Sequence, residues 1–315
     1  MTEGKPDITI LDWLFERRGH IDTACLDSVT AWKKVFDEAS VGWDVPADRA
    51  VIGGFLADRT AYAFAAGYES GLRRLVPALP ERAIVSFCVT EEKGGHPSTI
   101  RTTLKEEGTG NSFSLTGGKK FITMANEADL LLVAASTGLA PDGKNSIRMA
   151  LIERNAPGVE VSVMKGLPFI PEISHGTVSF SKVTVQRESV LPGDGYSDYV
   201  RPFRTVEDLH VFAAIGGFMF RIASLHGWPR TAIEETAALI ACVRALAFDD
   251  PSSPSVHIAL GGLHRQIMAL LQRTAECWDL VDEKTRAGWE RDRALLNVAG
   301  TARSKRLETA WSRVG

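Results

Sequence analysis

Residues 83–137 constrain this chain most, because they spell out short strands joined by tight turns. Residues 83–89 are apolar and β-branched, as a strand requires, and end in Thr90-Glu91. A glycine-bearing loop follows, Lys93-Gly94-Gly95-His96-Pro97, and residues 100–104 form a second strand. Glu107-Gly108-Thr109-Gly110-Asn111 is a turn made of residues that tolerate positive φ. Residues 113–115 return, Gly117-Gly118 bends the chain, and Lys120-Phe121-Ile122-Thr123 leads to an apolar strand at 128–135. Strands at 147–153, 159–163 and 176–185 follow, and Leu191-Pro192-Gly193-Asp194-Gly195-Tyr196 closes the series as a turn cluster. Antiparallel strands with short links imply a barrel or two packed sheets.

The flanks have helical spacing. Residues 10–17, 21–39 and 48–75 carry apolar faces, and Pro77 and Pro80 end the last of them. Gly53-Gly54 lies inside that face with no strand before it, which favours close helix packing over a phosphate loop. Four helices are expected after the strands, at 206–225, 231–248, 256–280 and 290–311, linked as an up-and-down bundle. The string Ile-Gly-Gly-Phe occurs at 52–55 and again at 215–218, which we treat as coincidence. The expected fold is therefore α+β and multidomain. It has a helical N-terminal domain (1–82), a central antiparallel β-barrel (83–200) and a C-terminal helical bundle (201–315).

Composition narrows the function. A net charge of −3 with no long basic run argues against a nucleic-acid partner. No apolar run long enough to span a bilayer and no signal-like N-terminus are evident, so no membrane partner is expected. Cys25, Cys88, Cys242 and Cys277 are far apart and each sits in an apolar context. Buried free thiols in a reducing cytoplasm are expected, and no metal site.

Several motifs in the strand-rich stretch occur in a recognisable order. They are Val89-Thr90-Glu91, Gly94-Gly95, Leu115-Thr116-Gly117-Gly118-Lys119-Lys120-Phe121-Ile122-Thr123 and Ala128-Asp129-Leu130. Together they resemble the middle domain of the acyl-CoA dehydrogenases, flavoproteins that desaturate acyl-CoA thioesters. The resemblance implies FAD as cofactor, an acyl-CoA substrate and an electron-transfer flavoprotein as acceptor. It also implies assembly as a homodimer or larger homo-oligomer. By the same resemblance, Phe87, Val89 and Thr90 line the flavin ring, and Phe121, Ile122 and Thr123 stack on its other side. Phe121 stands where the family often has Trp, and Gly95 lets backbone approach the cofactor.

The chain also departs from the family pattern. His96 replaces the family's loop Ser, where a protonated imidazole suits a phosphate, and Pro97 replaces the following Asp. Arg230 is a weak stand-in for the arginine that reaches a flavin phosphate in a neighbouring subunit. The family's C-terminal Gln-x-x-Gly-Gly loop and Glu-Gly-Thr base have no counterpart, since Glu107-Gly108-Thr109 falls in a hairpin. Some members carry the base on the first C-terminal helix instead, and aligning that helix puts Glu207 at the base position. The family's next residue, an arginine, becomes Asp208, a loss for CoA binding. The first reading is an FAD-dependent acyl-CoA dehydrogenase with Glu207 as catalytic base. The alternative is a non-catalytic homologue that acts as a binding module or pairs with a complete homologue in a heteromer. A carboxylate in a helix's first turn also has a plain role, favouring the helix dipole.

Overall fold

A computed structural model describes residues 8–19, 25–108 and 110–314. Thr109 of the predicted turn and residues 21–24 of the predicted helix lie outside them. The chain divides into two compact units. One is residues 79–167 with 173–202; the other combines residues 1–78, 168–172 and 203–315, so helices before and after the strands share one unit.

The first unit is a seven-stranded sheet: β1 (Val85–Cys88), β2 (Thr103–Glu107), β3 (Ser112–Thr123), β4 (Leu130–Leu139), β5 (Asn145–Glu153), β6 (Val159–Val163) and β7 (His175–Gln186). Its order is β1-β4-β2-β3-β7-β6, with β5 on β4. Most pairings are antiparallel, as expected. β1 and β2 nevertheless each run parallel to β4, because neither is joined to it by a hairpin. The sheet curls until β1 touches β3: the Ser86 hydroxyl donates to the Thr123 carbonyl at 2.7 Å. Inward residues of every layer, among them Leu104, Leu115, Val133, Ala150 and Phe180, fill the interior. Gly117 is required in β3: its φ is +144°, and a Cβ there would lie 2.6 Å from the Thr102 Cα.

The helical unit contains α1 (Ile10–Arg17), α2 (Val29–Ala39), α3 (Pro46–Leu56) and α4 (Thr60–Leu75) from the N-terminal side. From the C-terminal side come α5 (Arg201–Leu225), α6 (Arg230–Phe248), α7 (Pro254–Arg273), α8 (Glu283–Asp292), α9 (Leu295–Val298) and α10 (Gly300–Val314). Local chemistry sets several starts: Thr9 and Asp12 form a capping box, Ser28 caps α2, Pro46 opens α3 and Asp282 caps α8. The single helix expected at 290–311 is three helices. The break falls where the buried Asp292 carboxylate accepts from the Ile170 amide and from Arg291, both at 2.7 Å.

The two Ile-Gly-Gly-Phe strings are not a coincidence in space. A Cβ on Gly54 would stand 1.8 Å from the Ala214 carbonyl oxygen, and one on Gly217 would stand 2.1 Å from that of Val51. The repeats are the two sides of an α3–α5 crossing where backbone meets backbone. Gly67 of α4 continues this seam, with its missing Cβ 2.6 Å from the Val211 Cα.

Two other expectations are corrected. Cys25 and Cys242 are exposed rather than buried: Cys25 precedes α2, and Cys242 lies on the outer face of α6. The helical segment Gly195–Leu225 is, by length and composition, apolar enough to cross a bilayer, although 83% of its most apolar window is buried inside the protein.

Replacing Gly54 with Ala should destabilise the fold by about 3 kcal/mol or more, the upper end for overpacking, because backbone has to move. Urea denaturation of Gly54→Ala beside the wild type checks this, and a loss under about 1 kcal/mol would contradict the seam.

Candidate flavin face and carboxylate

In the sheet unit, the end of β1 and the end of β3 are clamped together. The Lys120 amide donates to the Thr90 carbonyl at 2.7 Å, and Lys119 Nζ donates to the Val89 carbonyl at 3.2 Å. The main tie is the Glu91–Lys119 ion pair at 2.7 Å, with Lys119 only 1% exposed. Glu91 also accepts from the Arg101 amide at 2.7 Å and the Thr102 amide at 3.0 Å. Burial works to raise the Glu91 carboxyl, but Lys119 and the two amides outweigh it and hold the group below its ordinary value. Burial pulls Lys119 down, with Glu91 opposing.

This clamp positions a bulge. The register of β3 against β7 shifts between Lys119 and Ile122, and Phe121 takes φ +57°. A bulge re-aims a side chain, and here the Phe121 ring is turned out to 59% exposure while Ile122 stays buried. A bulky residue at positive φ is costly, so the arrangement is held by its surroundings. Thr90 and Thr123 are half-buried beside it. Gly95 folds back over the strand end: a Cβ there would lie 3.1 Å from Val89 Cγ1 and 3.8 Å from Thr90 Oγ1. The structure thus ties Val89 and Thr90, with Gly95 against them, to Lys119 and Lys120, directly before Phe121, Ile122 and Thr123; Phe87 lies two residues earlier on β1. Neighbouring Cys88 is inert, because burial pushes its thiol up to about 12.

His96 is placed differently. Its Nδ1 accepts from the Ser98 amide at 3.3 Å, and its ring meets Tyr196 edge-on at 5.9 Å. It borders a cleft of about 940 Å³ whose lining includes Arg101 and Asn145.

Glu207 lies in the helical unit on α5 and pairs with Arg204 at 2.8 Å. Burial raises the Glu207 carboxyl above its ordinary value, and Arg204 opposes this. The Glu207 Cα is 3.7 Å from where a Gly71 Cβ would stand, so α4 packs close beside it. Asp208 is a structural anchor. It is 6% exposed, takes Arg303 at 3.2 and 3.0 Å, and takes Arg306 at 2.7 Å, tying α5 to α10. Sequence reasoning missed both arginines, which have no signal at that separation. Arg230 is exposed at the start of α6. Among the described residues no group of three or more His, Cys, Asp or Glu side chains could hold a metal ion.

A curled sheet with helices before and after it in sequence is the element order of an acyl-CoA dehydrogenase-like fold. Residues 86–183 match the family model for the acyl-CoA dehydrogenase middle domain. The short/branched chain specific acyl-CoA dehydrogenase of Rattus norvegicus mitochondria is 30% identical over 132 residues, covering 41% of this chain and 30% of that protein. The glutaryl-CoA dehydrogenase of Desulfococcus multivorans is 28% identical over 158 residues, covering 48% and 38%. The aligned segments thus span only 30% and 38% of these relatives' lengths. A solved FAD-dependent dehydrogenase superposes with a TM-score of 0.72 at 16% identity, covering 98% of both chains. Residues 86–183 thus match an acyl-CoA dehydrogenase middle domain, and the fold is acyl-CoA dehydrogenase-like.

Replacing Lys119 with Met leaves Glu91 buried without its cation and should cost about 3–5 kcal/mol. The Glu91 contribution has a pH sign: its folded pKa is depressed, so its stabilisation is present above the unfolded value and is lost as pH falls through the folded one. Chemical denaturation across acidic pH should show wild type and Glu91→Gln converging as pH falls. A gap that widens on acidification would contradict this.

Proposed function

We propose that this protein is an FAD-dependent oxidoreductase that desaturates an acyl-CoA thioester, with Glu207 as the base. One observation supports this reading above the rest: the ends of β1 and β3, far apart in sequence, are hydrogen-bonded at Thr90 and Lys120, next to the outturned Phe121. A flat ring system suits an exposed aromatic face, and its polar edge suits the Thr90 and Thr123 hydroxyls. His96 and Arg101, on the cleft that follows along the chain, suit a pyrophosphate. When bound, the flavin supplies the acceptor for the hydride that leaves the β-carbon.

The chain's own residues do the rest. Glu207 takes the α-proton, which must leave as the double bond forms. Its burial makes the carboxylate a stronger base than one in water, and Arg204 keeps it ionised and oriented. The Glu91–Lys119 clamp keeps the Phe121 bulge in place. Electron transfer to an electron-transfer flavoprotein, assembly as a homodimer and a cytoplasmic location belong to the same reading. One observation favours the alternative, a non-catalytic partner of a complete homologue: Glu207 is already engaged by Arg204 and needs no substrate to account for it.

The test is direct. Purified protein should take up FAD and turn yellow, and Phe121→Ala should weaken FAD binding about tenfold or more without unfolding the chain. Octanoyl-CoA or a shorter acyl-CoA should bleach the flavin anaerobically. Glu207→Gln should slow that by about two to four orders of magnitude and leave flavin content intact. Wild-type flavin that no acyl-CoA bleaches would leave the non-catalytic reading.

The pH profile gives a second check. Activity should fall as pH drops through the raised Glu207 pKa, so the acid limb sits above the ordinary glutamate value of about 4.3. Arg204→Ala removes the opposing charge and should move that limb to higher pH. A limb that stays put or moves down would remove Glu207 from the base role.

A further inference from the structure

A second cleft, of about 710 Å³, lies wholly within the helical unit and includes neither Glu207 nor any residue of the sheet. Its wall on one side is the start of α4 and the last turns of α5. On the other side it is α8. Two buried polar groups on this wall find no hydrogen-bond partner among the described residues. Arg221 is 5% exposed; its Nη1 donates to the Ala57 carbonyl at 2.8 Å, and its Nε has no partner. Thr60 is 2% exposed, and its hydroxyl has no partner. Both belong to the lining. Each such group costs about 1–3 kcal/mol when left unmade, so two side by side need a reason.

Thr60 is also the first residue of α4, whose N-cap position, Arg59, provides no side-chain cap. The start of a sixteen-residue helix therefore adds its positive dipole end to the same place.

The charge balance points the same way. The cleft's acids are Asp58, Glu172 and Asp282. Asp58 is held by Arg59 at 2.7 Å, Glu172 by Arg291 at 2.9 Å, and Asp282 accepts from the Thr285 amide as the cap of α8. That leaves Arg221 and Lys284 as lining cations with no carboxylate pair among the described residues. Burial lowers Arg221, and Asp58 partly offsets this, but arginine stays charged. Ile222, Leu225 and Trp289 give the cleft an apolar floor. Its volume falls in the usual range for small-molecule sites.

We propose that this cleft binds a small organic anion, a carboxylate or phosphate with an apolar body, held by Arg221 and Thr60 at the start of α4. The anionic group supplies the missing acceptor for Arg221 and takes the Thr60 hydroxyl, while Lys284 closes over it from α8. The apolar body lies along Leu225 and Trp289. This site is independent of the proposed flavin chemistry.

Calorimetric titration of the full chain with hexanoate, hexyl phosphate and inorganic phosphate tests it, at constant ionic strength in chloride. Saturable one-to-one binding of hexanoate or hexyl phosphate is expected. Arg221→Met should weaken it at least tenfold, Lys284→Ala and Thr60→Val several-fold, and Arg265→Ala, an exposed arginine of α7, not at all. Thr60→Val should melt no lower than wild type without ligand, because it removes an unsatisfied hydroxyl. Hexyl phosphate binding alone identifies the anion as a phosphate ester, and hexanoate alone as a carboxylate. No saturable binding by wild type, binding of inorganic phosphate only, or undiminished affinity in Arg221→Met overturns the proposal. If Arg221→Met does not fold, undiminished affinity in both Lys284→Ala and Thr60→Val overturns it.

Discussion

One buried ion pair braces the proposed cofactor face. Lys119 is enclosed inside the sheet, and its cost of desolvation is met by Glu91 and the Val89 carbonyl. Glu91 in turn is saturated by two backbone amides from the segment that starts β2. Three stretches of chain thus meet at one carboxylate: the end of β1, the approach to β2 and the middle of β3. Without that meeting point the bulge after Lys119 would have nothing to brace it, and a phenylalanine at positive φ would relax into the strand. The pair's value is geometric as much as energetic, since a buried ion pair is a weak stabiliser compared with apolar packing.

The sequence was legible where chemistry is local. Alternating strands, the Gly117-Gly118 bend and the helical stretches all announce themselves within a few residues. Phe121 and Thr90 could be assigned to one site only through the resemblance; the structure adds the hydrogen bond from the Lys120 amide, next to Phe121, to the Thr90 carbonyl. What stayed hidden depends on distant partners. Nothing near β1 or β2 says that each lies parallel to β4, since strand propensity is blind to direction. Asp208 looked like a lost CoA contact because its partners, Arg303 and Arg306, are on another helix. Cys25 and Cys242 looked buried because apolar neighbours in sequence are not always neighbours in space.

The helical unit shows the same logic with opposite means. Where the sheet is fixed by charges, α3, α4 and α5 are fixed by the absence of side chains. A repeated four-residue string looked accidental, yet each copy is shaped to receive the other. Around this seam the charges are peripheral and paired, as with Asp208 on α10 and Asp48 on Arg244.

The glycine seam also bears on how such a protein can evolve. Enzymes commonly acquire new substrates by trimming a bulky side chain that walls the site. Along the seam from Gly54 and Gly67 to Gly217 there is nothing to trim, because the walls are already main chain. Any widening beside Glu207 on the α4 side would require the helices themselves to separate. Diversification is therefore channelled to surfaces that still carry side chains, and the helix that bears Glu207 is left as a fixed part around which they change.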